Sequence, residues 1–422
     1  MDGNTSQRQF SELLRSYRIR RGVTQRQLAD LSTVSVRAIR DLELGRTSRP
    51  RHDTVRLIAD GLGLSGRSLV DFRAAAAAHG MVSRSDLKMM YDAEPVAPPA
   101  PLDTLIGREL EVAVVGDMLA TGSQRLITVT GLGGVGKTRL ALEIANELHG
   151  RHGYPVLWCG ADPAADLVQL CLDALTGSGE AAGELATVIG DRPTLLVLDA
   201  PRPLRIRVDR VVALLQECRG LRVLATSREP LDVRAERTFP LAPLALPRPG
   251  SQDVASSPAV RLLVHHVRQV RPEFAVTGAN AAAVAELCRR LDGIPAALAA
   301  AASWFMLYDA ETLLDCLRQD PVGFAVEKLP DLADLVGRTV AALPGAEHAV
   351  LTALGAAPPG WSMAEAVELT GRTPVACARM VRMLLILGLV RSVDESDRTR
   401  FQVLDLVAAV ADSRRLAVPE AV

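Results

Sequence analysis

Lysine is nearly missing from this chain. Of 48 basic side chains only Lys88, Lys137 and Lys328 are lysines, and every other cation is an arginine. A lysine kept in such a background marks a position where a flexible point charge is wanted, which singles out Lys137. Cysteine is sparse and unpaired in pattern. Cys159, Cys171, Cys218, Cys288, Cys316 and Cys377 are scattered, and none forms a C-x-x-C. That spacing argues against a disulfide framework or a zinc cluster and reads as reduced thiols in the cytosol. Long apolar runs are lacking too. Ile294 to Leu307 is too short and alanine-rich to span a bilayer and reads as a core helix. The N-terminus is polar and arginine-bearing, without the apolar stretch of a secretory signal. A cytoplasmic protein with no membrane partner is expected.

Net charge is almost absent as well, at −1, but the balance is uneven. Residues 1–80 carry fourteen arginines against eight carboxylates, leaving +6 there and −7 on the remainder. A basic head on an acidic body suggests a polyanion as the head's partner. With 422 residues, 48% hydrophobic and 23% charged, the chain has the make-up of a globular protein. At roughly 100–200 residues per domain, three or four domains fit.

The most informative stretch is Leu126 to Leu140. Leu126 to Thr130 reads as a short buried strand, followed by GLGGVGKT over 131–138. Leu140, Ile144 and Leu148 then fall on one helical face. Strand, glycine loop and helix are the context in which G-x-x-x-x-G-K-[ST] binds phosphate. Gly131, Gly133, Gly134, Val135 and Gly136 would turn backbone N–H groups inward, and Arg139 follows in the first helical turn. Lys137 would reach the β and γ phosphates, and Thr138 would hold Mg²⁺. Thr194 to Asp199 is an apolar strand ending in a carboxylate, which supplies a second Mg²⁺ ligand. Pro155–Cys159 and Leu221–Ala225 read as further strands of a parallel α/β sheet, the latter delivering Thr226-Ser227-Arg228-Glu229. Arg228 can contact a nucleotide phosphate. Asp199 and Glu229 are the candidates for any hydrolytic role.

Before the sheet, residues 7–78 read as five short helices. Thr24-Gln25-Arg26-Gln27 is a capping box that opens the second, and Ser35 can cap the third, which carries Val36, Arg37, Ile39, Arg40 and Leu42. T-Q-x-x-L-A followed by V-S-x-x-x-I-x-x-L-E-x-G-R resembles the Cro/lambda-repressor type of helix-turn-helix over Phe10 to Phe72. The resemblance implies that the third helix enters the major groove of double-stranded DNA. Arg37 and Arg40 would then be presented to base edges and Gln25 and Arg46 would hold phosphates, with Ser35 and Val36 in the same DNA-binding surface. Residues 81–103, with Pro95, Pro98, Pro99 and Pro101, read as a semi-rigid linker.

Taken in order, Ile106-Gly107-Arg108, GLGGVGKT, TLLVLD, RVLATSREPL and CRRLDGIPAALAAAAS resemble the NB-ARC, or STAND, signalling ATPases from about Leu105 to Leu416. The resemblance implies a nucleotide-binding domain over 104–246, a helical domain over 247–328 and a winged helix over 329–422. Ile106 and Arg108 would lie at the nucleotide, and Pro295 against the adenine. It also implies ATP/ADP with Mg²⁺ as cofactors and nucleotide-dependent self-association. Two positions depart from the family. Asp199 is followed by Ala200 where a second Asp or Asn is common, and Val403-Leu404-Asp405 replaces M-H-D. Binding with slow or absent hydrolysis is expected. The last section reads as three helices and a hairpin, Val390–Val393 and Arg400–Val403 flanking a polar turn.

The reading that unites these features is a multidomain, nucleotide-gated transcriptional regulator, cytoplasmic and nucleoid-associated. Its arginine- and alanine-rich usage suggests a GC-rich, actinobacterial-type genome, and secondary metabolism is the process implied by analogy. Two rivals remain open: a stress or defence sensor whose head binds protein, and a DNA-stimulated ATPase.

Overall fold

The computed structural model describes residues 3–45, 52–64, 96–159, 179–199, 206–248, 253–319, 330–395 and 398–409, with single positions between them. The chain divides into two compact units, Met1–Ala93 and Glu94–Val422.

The first unit is helical: α1 (Gly3–Arg20), α2 (Gln25–Ser32), α3 (Val36–Glu43) and α4 (His52–Leu62). The capping box forms as the sequence dictates. Thr24 Oγ1 accepts the Gln27 N–H at 3.2 Å, while Gln27 Oε1 accepts the Thr24 N–H at 2.8 Å. Ser35 Oγ accepts the Ala38 N–H at 3.2 Å and starts α3. Between them Thr33 takes φ 55 and stops α2. Phe10, Leu14, Leu28, Ile39, Leu42, Ile58 and Phe72 fill the core, with the Phe10 and Phe72 rings 5.2 Å apart. Most of the expected fifth helix lies outside the described residues.

The second unit is built on a five-stranded parallel sheet: β1 (Leu126–Thr130), β2 (Val156–Cys159), β3 (Thr194–Asp199), β4 (Leu221–Thr226) and β5 (Arg237–Pro240). The spatial order is β2-β3-β4-β1-β5. Strands β1, β3 and β4 are almost wholly buried, because helices cover the sheet. Those helices are α5 (Glu109–Ala120), α6 (Lys137–His152), α7 (Gly179–Ile189) and α8 (Val208–Glu217). The chain leaves β1 for the far edge, returns through β3 and β4, and then crosses β1 to reach β5. Such a reversal opens a crevice at the carboxyl ends of the strands. There Asp199 stands opposite Thr226, and Thr226 opposite Val129. Strand β5 is absent from the sequence expectation. Its four residues, Arg-Thr-Phe-Pro, have no apolar run, and pairing with β1 alone makes them a strand.

Residues 96–103, expected as linker, lie along this unit. Val96 O accepts the Val156 N–H at 2.8 Å, and Asn146 Nδ2 donates to Pro99 O at 3.1 Å.

Beyond the sheet come α9 (Pro258–Val270), α10 (Ala281–Arg290), α11 (Pro295–Trp304) and α12 (Ala310–Gln319). Then follow α13 (Pro330–Ala341), α14 (Gly345–Gly355), α15 (Met363–Thr370) and α16 (Pro374–Ile386). An antiparallel hairpin of β6 (Val390–Glu395) and β7 (Arg398–Val403) follows, and a helical turn over 405–409 ends the described chain. Each hairpin strand runs two residues nearer the turn than the apolar alternation predicts, since backbone pairing continues through polar residues.

The helices of 258–319 and the helix–hairpin stretch share one apolar core, to which Val260, Leu287, Leu298, Leu351, Leu384 and Leu404 all belong. Leu132, second residue of the glycine loop, is buried in that same core. Gly388, at φ 72 after α16, explains how the chain approaches the loop so closely. A Cβ there would sit 2.7 Å from the Leu132 nitrogen. All six cysteines are free, and five are buried. Among the described residues no helix is long and apolar enough to cross a membrane.

Candidate functional site

The glycine loop joins β1 to α6. Gly131, Gly134 and Gly136 take φ of 138, 80 and 101, values open to glycine and strained for other residues. At Gly131 a Cβ would also meet Leu241 O at 2.8 Å. Lys137 Nζ folds back on the loop and donates to Gly131 O at 2.8 Å and Leu132 O at 2.9 Å. Burial pushes its pKa down to about 8, Arg228 adds to that, and Asp199 opposes it. Lys137 is thus a half-buried cation short of anionic company.

Thr138 Oγ1 donates to Asp199 Oδ1 at 2.8 Å, so the loop and the end of β3 meet. Thr226 Oγ1 donates to the same oxygen at 2.6 Å. Thr226, expected just past the strand and given no role there, is the last residue of β4 and a site residue. Its signal was a hydroxyl directly after the apolar run Val223–Ala225. Thr138 and Asp199 present hard oxygen donors, the kind Mg²⁺ takes. Among the described residues no group of three or more His, Cys, Asp or Glu could hold a metal. A Mg²⁺ here would therefore need oxygens from a bound ligand as well. Glu229 has its N–H on Ser227 Oγ at 3.4 Å. Ala200 lies outside the described residues.

Beside the loop is a cavity of about 140 Å³, lined by Leu105, Ile106, Val135, Gly136, Leu244, Leu262 and Pro295 among others. Five predicted site residues besides Gly136 come together there: Ile106, Arg108, Val135, Arg139 and Pro295. Helix α11 closes one side, its Ala296 N–H donating to Gly134 O at 3.2 Å. Gly133 belongs to the same loop but not to the cavity wall. Arg108 is buried and committed. It donates to Glu111 Oε1 at 2.7 Å, Ala242 O at 2.6 Å and Val135 O at 3.4 Å, so it holds the wall together. Arg139 pairs with Glu143 at 2.8 Å and with Asp103 at 3.4 Å.

In the first unit a hollow of about 680 Å³ is lined by Arg18, Thr24, Gln25, Arg26, Val36 and Arg40. Arg18 grips Glu43 with two bonds, at 2.5 and 3.0 Å, and this partner raises its pKa. Gln25 Nε2 donates to Glu43 Oε2 at 2.7 Å, which braces α2 against the end of α3. Arg26 and Arg40 are exposed at the hollow, and Arg26 went unnoticed in the sequence as a mere interior member of the capping box. The Arg37 side chain is 93% exposed, 3.9 Å from Asp41. Arg46 lies outside the described residues.

Residues 9–72 match the model of a helix-turn-helix domain. Residues 9–72 form a helix-turn-helix domain. Over 302 residues the chain is 32% identical to a provisionally named HTH-type transcriptional regulator of Mycobacterium tuberculosis, covering 68% of this chain and 33% of that protein. A similarly named protein of Mycobacterium bovis matches equally. An uncharacterised Mycobacterium tuberculosis protein is 33% identical over 210 residues, 48% of this chain and 51% of its own length. The chain thus spans about a third of the length of the curated regulators it matches. Among solved structures, one of Drosophila ORC bound to DNA covers 90% of this chain and 99% of its own at 15% identity, with a TM-score of 0.28, too slight a likeness to bear on the fold.

Proposed function

We propose that this chain is a DNA-binding transcriptional regulator whose helix-turn-helix head is governed by an adenine nucleotide held in the second unit, in a P-loop site of the NB-ARC or STAND type. One observation carries the reading. Lys137, Thr138 and Asp199 meet at the carboxyl ends of β1 and β3, beside a cavity whose walls come from segments as distant as Ile106 and Pro295. The apolar cavity suits a base, and the loop suits phosphates. Lys137 would exchange two loop carbonyls for phosphate oxygens, a charge-assisted contact that also relieves its buried charge. Thr138 and Asp199 would hold Mg²⁺, which neutralises phosphate charge when bound.

Leu132 supports coupling to the rest of the unit. Its side chain sits in the core of the helices and hairpin while its carbonyl receives Lys137. A change at the phosphates is then felt in the helix–hairpin part, the winged helix of this reading. Self-association in the ATP form would bring two heads onto paired half-sites. With no acid or amide at Ala200, turnover is slow.

Titration of Mg²⁺·ADP and Mg²⁺·ATP into parent and Lys137→Ala proteins tests the site. The variant loses a contact worth about 1.5–3 kcal/mol, more than tenfold in affinity. Equal affinity in the two proteins sinks the nucleotide reading.

A further inference from the structure

The cavity beside the glycine loop holds a polar side chain that no motif marks. His266, on α9, stands in its wall together with Asp103, Thr104, Arg108 and Arg139. The other charged members are already engaged. Arg108 is bound to Glu111 and two carbonyls, and Arg139 is held by Glu143 and Asp103. Thr104 is exposed at the rim. His266 is half-buried, and the remaining walls are aliphatic.

We propose that His266 is the side chain that recognises the nucleobase, and so sets which nucleotide the site takes. The inference rests on the nucleotide reading above and adds base selectivity to it.

Three features fit a base-facing role. The ring's hydrogen bond goes to Gln269, one turn further along α9, and not to the loop or to another wall residue, while Lys137 and Thr138 lie outside the cavity wall. Its surroundings keep it neutral. Burial lowers its pKa, as does neighbouring His265, whose ring centroid is 5.4 Å away, while Gln269 and Asp103 act in the other direction. With Gln269 on one ring nitrogen, the other is left to donate to or accept from the edge of a purine, according to the tautomer. Helix α9 is also packed against α11, which carries Pro295 into the cavity, so the two walls are held in one rigid pair.

The test compares parent and His266→Leu proteins, leucine keeping most of the volume and the apolar contact. Dissociation constants are measured for Mg²⁺·ADP, Mg²⁺·GDP and Mg²⁺·pyrophosphate, the last lacking a base. Loss of one net hydrogen bond weakens ADP by about 3- to 10-fold. The ratio of ADP to GDP affinity narrows, and pyrophosphate inhibits ADP binding to the same extent as before. In the parent, the His266 ring resonances shift on adding ADP and stay put on adding pyrophosphate. An unchanged ADP constant, or equal weakening of ADP and pyrophosphate, overturns the proposal. A parent protein that binds no ADP removes the nucleotide reading itself, and this inference with it. A parent that binds ADP alongside an indifferent His266→Leu removes this inference alone.

Discussion

Asp292 Oδ2 lies 2.9 Å from the backbone nitrogen of Leu406, 114 residues further along the chain. Its other oxygen accepts the N–H of Asp405 at 3.0 Å. The carboxyl is fully buried and sits at φ 55, one residue before Gly293 and three before Pro295. It therefore caps the helical turn after β7 from a segment that also lines the cavity. Asp292 ties the last described helical turn to the wall of the cavity beside the glycine loop.

That tie is pH-dependent. Burial raises the Asp292 pKa to about 7 from 3.8, offset in part by Arg391 and the two backbone donors and reinforced by Asp405. Since the folded value is the higher one, its contribution to stability is complete below about pH 4 and is lost as pH rises through 7. Asp292→Asn removes the titration, so the difference in unfolding free energy between parent and variant changes across pH 4–7 and is flat above. Denaturant melts at several pH values check this, and parallel profiles would refute it.

Lys137 titrates in the opposite sense. Its folded pKa of about 8 against 10.5 means that burial costs stability below pH 8, a cost recovered as pH rises from 8 towards 10.5. Phosphate restores the proton. Nucleotide affinity is then level below pH 8 and falls by roughly tenfold per pH unit above it, with proton uptake on binding. Calorimetry in buffers of different ionisation heat measures the uptake. Binding without it at pH 8.5 would place the lysine away from phosphate.

Thr226 positions Asp199. Thr226→Val keeps the shape and removes the 2.6 Å bond. The Mg²⁺-dependent part of nucleotide affinity drops by up to about tenfold, on the order of 1.4 kcal/mol, and Thr226→Ser restores it. Affinity measured with EDTA is unaffected. A loss of equal size without Mg²⁺ would assign Thr226 a purely structural role.

If α3 lies in the major groove as proposed, base and phosphate contacts are separable by mutation. Arg37→Ala or Arg40→Ala relaxes sequence preference at about 1–3 kcal/mol, while Arg26→Ala weakens all duplexes alike and reduces the salt slope by about one. Binding to a randomised duplex library at two salt concentrations reads both. If neither α3 variant shifts the preferred site, another element reads the bases.

Much of this was legible in the sequence. The boundaries of β1 and β3, the capping box at Thr24 and the helices from Gly345 onward follow from local rules, where apolar periodicity, a cap or a glycine acts within a few residues. What local rules cannot reach is a partner far along the chain. β5 is a strand only because β1 offers its open edge, so nothing in Arg-Thr-Phe-Pro announces it.

The same limit governs the site. Lys137, Thr138 and Asp199 were named from residue type and spacing, and the fold brings Thr138 onto Asp199 with Lys137 on the adjoining loop. The strand order decided that Thr226 would stand between β1 and β3 and share Asp199. Folding also decided that Arg108 would be spent on Glu111, Val135 and Ala242, leaving His266 in the wall. The sequence alone determined which chemistry the chain carries, through short-range constraints on backbone and charge. Only tertiary structure decided which partners those groups take, as with Arg108 and Ala242 or Asp292 and Leu406, because such contacts join residues more than a hundred positions apart.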